Sequence, residues 1–201
     1  YTESEQLFRQ AIDITTAFHG ENHYRTASNV LYLGRSLLLQ NRYEEARAAM
    51  QRALAIRESV YPPTHPTIAN TLNELGSLAM REERYVDART TFERVLSIYR
   101  SAYPGMNFRV GVAIANLGDT YLYEKDYRRA ETHYREALMH YIASQGPDHL
   151  NTGIGYIKLG RALMRGGRFR DAEPEIRRGY AIVAKVAEPT VSFLQAARLD
   201  L

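Results

Sequence analysis

One spacing constrains this chain more than anything else in it. Gly34, Gly76, Gly118 and Gly160 follow one another at intervals of 42 residues. The residue before each is a leucine: Leu33, Leu75, Leu117 and Leu159. Nine positions after each glycine stands an aromatic (Tyr43, Tyr85, Tyr127, Phe169), and three further on an alanine (Ala46, Ala88, Ala130, Ala172). Four columns kept in phase four times define an internal repeat. Each unit then buries its apolar face by stacking on its neighbours.

Each unit reads as two helices. In the second, Ile68, Leu72, Leu75, Gly76 and Ala79 follow the spacing of one helix face. After the polar break Arg81-Glu82-Glu83-Arg84, a second stripe runs through Tyr85, Ala88, Phe92, Val95 and Ile98. Units close at Tyr61-Pro62-Pro63, Tyr103-Pro104-Gly105 and Gln145-Gly146-Pro147, which are turn and helix-stop signals. This predicts first helices at about 24–40, 66–82, 108–124 and 150–166, and second helices at about 43–60, 85–102, 127–144 and 169–186. The repeats are 24–65, 66–107, 108–149 and 150–189 within one array over 1–201. A lone second helix lies in 1–23 and a partial unit, a first helix, over 190–201, so the chain reads as a piece of a longer array. The expected fold is all-α, a right-handed α-solenoid of antiparallel helix pairs with no strand.

The recurring small residues have a physical reason. Glycine inside a helix costs about 1 kcal/mol relative to alanine, so close approach of another helix must offset it. A larger side chain at such a crossing costs about 1–3 kcal/mol through overpacking. The aromatic column at 43, 85, 127 and 169 is expected to fill the space beside these residues.

Composition narrows the function classes. Hydrophobic residues are 45% of the chain, enough for a core. No stretch approaches a membrane span, and no signal peptide is visible, although the chain begins at Tyr1 rather than Met. Cysteine is absent, which excludes disulfides, zinc ribbons and a thiol nucleophile and fits a reducing, cytoplasmic setting. A net charge of +3 does not by itself imply nucleic-acid binding.

The pattern resembles the tetratricopeptide repeat, carried by Leu-Gly at 33–34, 75–76, 117–118 and 159–160 with the aromatic-x-x-Ala pairs that follow. The usual period is 34 residues; the extra eight amount to about two helical turns. This longer form is similar to kinesin light chain and its bacterial relatives. The segments that carry the likeness are His65-Pro66-Thr67-Ile68-Ala69-Asn70-Thr71-Leu72-Asn73-Glu74-Leu75-Gly76, Tyr43-Glu44-Glu45-Ala46, Ala53-Leu54-Ala55-Ile56-Arg57-Glu58 and Ala172-Glu173-Pro174. The resemblance implies a protein-binding scaffold that holds a peptide or partner helix on its concave, first-helix face. It also implies that such arrays serve as non-catalytic parts of larger signalling proteins, beside kinase, nucleotide-switch or protease domains.

On each first helix, the positions three before, one after and five after the glycine are expected to face this groove. They hold Leu31, Arg35 and Leu39; Asn73, Ser77 and Arg81; Ala115, Asp119 and Tyr123; Ile157, Arg161 and Arg165. Tyr32, Glu74, Asn116 and Lys158 are adjacent, with Asn70 one turn earlier. Asparagine both donates and accepts, so it can hold a peptide backbone of any sequence, and arginine recognises carboxylates. Lys158, Arg161 and Arg165 share one face, with Arg81 and the asparagines beside them, which predicts a mixed-charge ligand docked with its acidic end toward the fourth repeat. Relatives that grip an acidic C-terminal tail use a five-residue carboxylate clamp. Its positions are filled here by Asn73, Ser77, Asn116, Ile154 and Lys158, and only Asn116 matches, with Lys158 a basic stand-in, so the likeness does not extend to that clamp.

His23, His65 and His149 share one column with Asn107 just before the first helices, where capping or turn packing explains them better than a metal site. His133 and His140 lie seven apart on one helix. No phosphate loop or Ser/His/Asp constellation appears, so neither enzyme activity, a cofactor nor a metal is expected. Three readings stand: an interaction module, a regulatory spacer contacting its own neighbouring domains, and a nucleic-acid-binding solenoid. The last is weakened because the basic run 153–185 lacks interleaved aromatics.

Overall fold

The computed structural model describes residues 2–186, and among these it contains nine helices and no strand. Two compact units divide at Ala102 and Tyr103. The first holds α1 (Thr2–His19), α2 (Tyr24–Leu39), α3 (Tyr43–Val60), α4 (Pro66–Arg81) and α5 (Tyr85–Ala102). The second holds α6 (Phe108–Tyr123), α7 (Tyr127–Gln145), α8 (Leu150–Arg165) and α9 (Phe169–Val186). The predicted helices match these to within a residue at either end. The first helix expected over 190–201 lies outside the described residues.

Within each unit every helix packs on its chain neighbours, and first helices also meet one another, α2 with α4 and α6 with α8. Short connections force consecutive helices to run antiparallel. The turn inside each pair is the same four times. Asn41, Glu83, Lys125 and Gly167 sit at φ of 59°, 60°, 65° and 79°, the left-handed region. The next residue's N–H reaches back five positions, Arg42 to the Leu37 carbonyl and Asp126 to the Tyr121 carbonyl, with Arg84–Ala79 and Arg168–Leu163 equivalent. This is the Schellman closure, in which orphan carbonyls at a helix end find donors. Only Gly167 adopts that backbone without a Cβ penalty.

The helix starts also repeat. His23, His65 and His149 each accept the N–H two residues on through Nδ1, at 3.3, 3.2 and 3.1 Å. Asn107 does so through Oδ1 at 2.8 Å. The histidine column therefore caps first helices, as the sequence suggested.

The glycine column marks close helix crossings. A Cβ on Gly34 would stand 2.8 Å from Met50 Cγ, on Gly76 2.5 Å from Phe92 Cε1, and on Gly118 2.7 Å from Tyr134 Cε1; Gly160 meets Ile176 in the same way. The alanines at 46, 88, 130 and 172 are buried. The filler differs from the expected one. It is the residue sixteen positions after each glycine, not nine. Tyr43, Tyr85 and Tyr127 are half-buried and Phe169 is exposed, because they stand at the start of the second helix, two turns short of the crossing.

Candidate functional site

The first-helix faces carry the predicted binding residues, and each unit presents its own set. One prediction about these faces is corrected. Leu31, Ala115 and Ile157, expected on the groove stripe, are buried. At about 100° per residue, three positions before the glycine is only about 60° around the helix from it, inside the buried arc. Two positions before is about 160° away, so the outward stripe runs through Ser28, Tyr32, Arg35 and Leu39 on α2 and Asn70, Glu74, Ser77 and Arg81 on α4.

In the first unit Arg35 pairs with Glu74, from α2 to α4, and lies 5.9 Å from the centroid of the exposed Tyr32 ring. The Glu74 bond, the main cause, raises the Arg35 pKa. Asn70 is exposed on this face, and its Oδ1 accepts the Tyr99 hydroxyl at 2.6 Å. Ser77 donates to the Asn73 carbonyl at 2.9 Å, and Asn73 is half-buried. Arg81 is exposed at the end of α4.

In the second unit Asp119 accepts twice, from Tyr134 Oη at 2.8 Å and from Lys158 Nζ at 2.5 Å. Arg165 lies 5.9 Å from the centroid of the exposed Tyr123 ring. Arg161 and Asn116 are half-buried on the same helices. Part of the basic run 153–185 is internally balanced. Lys158 is held by Asp119, Arg168 by Glu131 and Asp171, and Arg177 by Glu173.

The sequence reading quoted Arg57 only within the segment 53–58 and gave it no site role. Its column holds Thr15, Tyr99, Tyr141 and Val183 elsewhere, so a lone basic residue at an otherwise uncharged position was the available signal. Arg57 is 6% exposed, and burial, the largest influence, lowers its pKa. Its Nη1 donates to the Thr67 carbonyl at 3.0 Å and to Thr71 Oγ1 at 2.6 Å.

Away from these faces, an open cleft of about 840 Å³ in the second unit is lined by Lys125, Arg128, Glu131, Arg135, Leu163 and Arg168 among others. Glu131 is engaged there by Arg135 and Arg168. Among the described residues no group of three His, Cys, Asp or Glu could hold a metal ion. Nor is any described helix long and apolar enough to cross a membrane.

Comparison with known proteins agrees with this architecture. The sequence profile "Tetratricopeptide repeat" matches residues 1–59, 28–101, 67–140 and 109–185 in overlapping copies. BtubC (BKLC) from P. vanneervenii superposes with a TM-score of 0.79 at 19% identity, covering 94% of this chain and 76% of that one. The kinesin light chain nearly identical TPR-like repeats from Podosopora anserina give 0.74 at 17% identity, covering 93% and 89%. Apo RapI gives 0.75 at 14% identity, covering 94% and 73%. No curated protein sequence matches.

Proposed function

The chain belongs to the tetratricopeptide repeat family, and we propose that it is a non-catalytic scaffold whose first-helix faces bind a peptide or partner helix. The observation that carries this is the pairing of exposed tyrosine with arginine on those faces, Tyr32 with Arg35 in one unit and Tyr123 with Arg165 in the other. Tyr32 and Tyr123 are 44% and 52% exposed. Such rings bring large contact area at low entropic cost, and arginine adds directional bonds; together they are the residues that dominate protein interfaces. Arg161 and Arg165 favour a mixed-charge segment with its acidic residues toward the fourth repeat, in an aqueous, cytoplasmic setting. A peptide-array screen tests this with wild type and an Arg161→Glu/Arg165→Glu variant. Loss of the acidic segments is expected; identical selection by both proteins would sink the reading.

One observation favours a second role, as a spacer within a larger protein. On α1, Ile14 is 58% exposed, with Leu7 and Phe18 beside it, whereas Ile56, Ile98 and Ile182 in the same column are buried. A neighbouring first-type helix would cover that strip.

A further inference from the structure

Arg57 is the one buried cation among the described residues that has no carboxylate partner. Its two edges are served unequally. The Nη1 end is saturated by Thr67 and Thr71. On the other edge, Nη2 reaches Ser28 Oγ only at 3.4 Å, and the buried Nε has no partner at all. Nε and Nη2 present two parallel N–H groups on one side of the guanidinium, the geometry that a carboxylate matches with its two oxygens. The charge persists, since arginine does not deprotonate in proteins, so the edge stays short of an acceptor.

A purely structural role accounts for little of this. Thr71 Oγ1 already donates to the Thr67 carbonyl at 3.3 Å, so both acceptors keep a partner without Arg57. The other repeats fill the column with threonine, tyrosine or valine, so packing there requires no charge. The incomplete edge is turned toward α2, where half-buried Ser28 stands on the same outward stripe as Tyr32 and Arg35.

We propose that the Nε–Nη2 edge of Arg57 is a carboxylate subsite. It takes an acidic side chain or C-terminus of a peptide lying on the α2–α4 face, whose oxygens displace the Ser28 hydroxyl. This rests on the scaffold reading and adds to it an acid-selecting contact within the first unit. Ser28 is the side chain that must turn aside, and Tyr32 supplies the exposed ring beside the entry.

The test uses the whole chain and three pools of randomised peptides. One has blocked ends and a central glutamate, one has blocked ends and a central glutamine, and one has the glutamine with a free C-terminal carboxylate. The glutamate pool should bind about tenfold more tightly than the blocked glutamine pool. It should also move the Arg57 Nε–H resonance, which is assigned by its loss in Arg57→Lys. A matching gain in the third pool would identify a chain terminus as the source of the carboxylate. Arg57→Met should abolish the preference while leaving the denaturation midpoint unchanged or higher. Arg57→Lys, which keeps the charge but lacks the edge, should abolish it too. Equal binding of all three pools with an unmoved resonance, or a preference that survives both variants, overturns the subsite and leaves the scaffold standing. Absence of binding by every pool overturns both.

Discussion

The buried Tyr134 hydroxyl donates to Asp119, and this bond decides which way round the neighbouring ion pair runs. Asp119 follows Gly118 and pairs forward to Lys158, two residues before Gly160. In the first unit Arg35 follows Gly34 and pairs forward to Glu74, two residues before Gly76. These are the same two repeat positions with the charges exchanged. The residue beneath explains the order. Tyr134, fully buried against Gly118, needs an acceptor, and burial together with Asp119 holds its phenol well above its ordinary pKa. Met50, against Gly34, needs none, so a cation can stand above it.

Exchanging the second pair should therefore succeed only with its support changed. Lys158→Glu alone should cost about 1–2 kcal/mol, less than loss of a fully buried pair. Adding Asp119→Arg should recover only part of this, because the Tyr134 hydroxyl loses its acceptor. The triple variant with Tyr134→Phe should recover most of the rest. Urea denaturation of the series decides the matter, and full recovery in the double variant would refute the link to Tyr134.

Gly118→Leu should destabilise by about 1–3 kcal/mol or more, since even a Cβ there meets the buried Tyr134 ring. Arg35→Ala should cost under about 1 kcal/mol, because its ion pair is half in solvent. Equal denaturation midpoints for the two would contradict the observed crossing.

Acidification should loosen the α2 start at His23. Desolvation, then repulsion from His19 and Arg25, lowers the His23 pKa below its ordinary 6.5. The folded state therefore binds fewer protons than the unfolded state through that range. This contribution to stability is full above pH about 6.5 and shrinks as pH falls toward the lower folded value. His23→Asn, which copies the cap at Asn107, should keep the helix start and flatten this part of the pH profile. A melting curve that changes with pH identically in variant and wild type would argue against the cap.

Lys125→Gly should raise stability by about 0.5–1 kcal/mol, because lysine holds a left-handed backbone where Gly167 stands in the equivalent turn. Thermal melts compare the two chains directly, and a lower melting temperature in the variant would show that the lysine side chain matters more than its backbone.

Helix positions were legible because Gly34, Gly76, Gly118 and Gly160 set the phase and proline-rich stops set the ends. The notch fillers were not. Met50, Phe92, Tyr134 and Ile176 share a position but no chemical type, while the uniform Tyr/Phe column drew attention to a place that is only half-buried. The ion pairs were hidden for a related reason. Arg35–Glu74 and Lys158–Asp119 join residues 39 apart, which is not the repeat period, and a column search cannot link positions whose charges reverse. Leu31 and Ile157 were misplaced by an angular error of one position on the helix wheel. Arg35, Asp119, Tyr123 and Lys158 were placed outside the buried arc of their helices, and there they lie.

Each glycine and the residue that fills its notch lie in the same 42-residue stretch. An in-frame duplication or deletion of one such stretch would carry both halves of its tightest contact together, and so would start from an intact pair. The ion pairs obey a different inheritance. Their members come from successive stretches: the arginine after the glycine of one meets the glutamate two before the glycine of the next. Copying a stretch thus leaves its glycine notch intact, while each new seam sets the charges at these two positions against one another afresh.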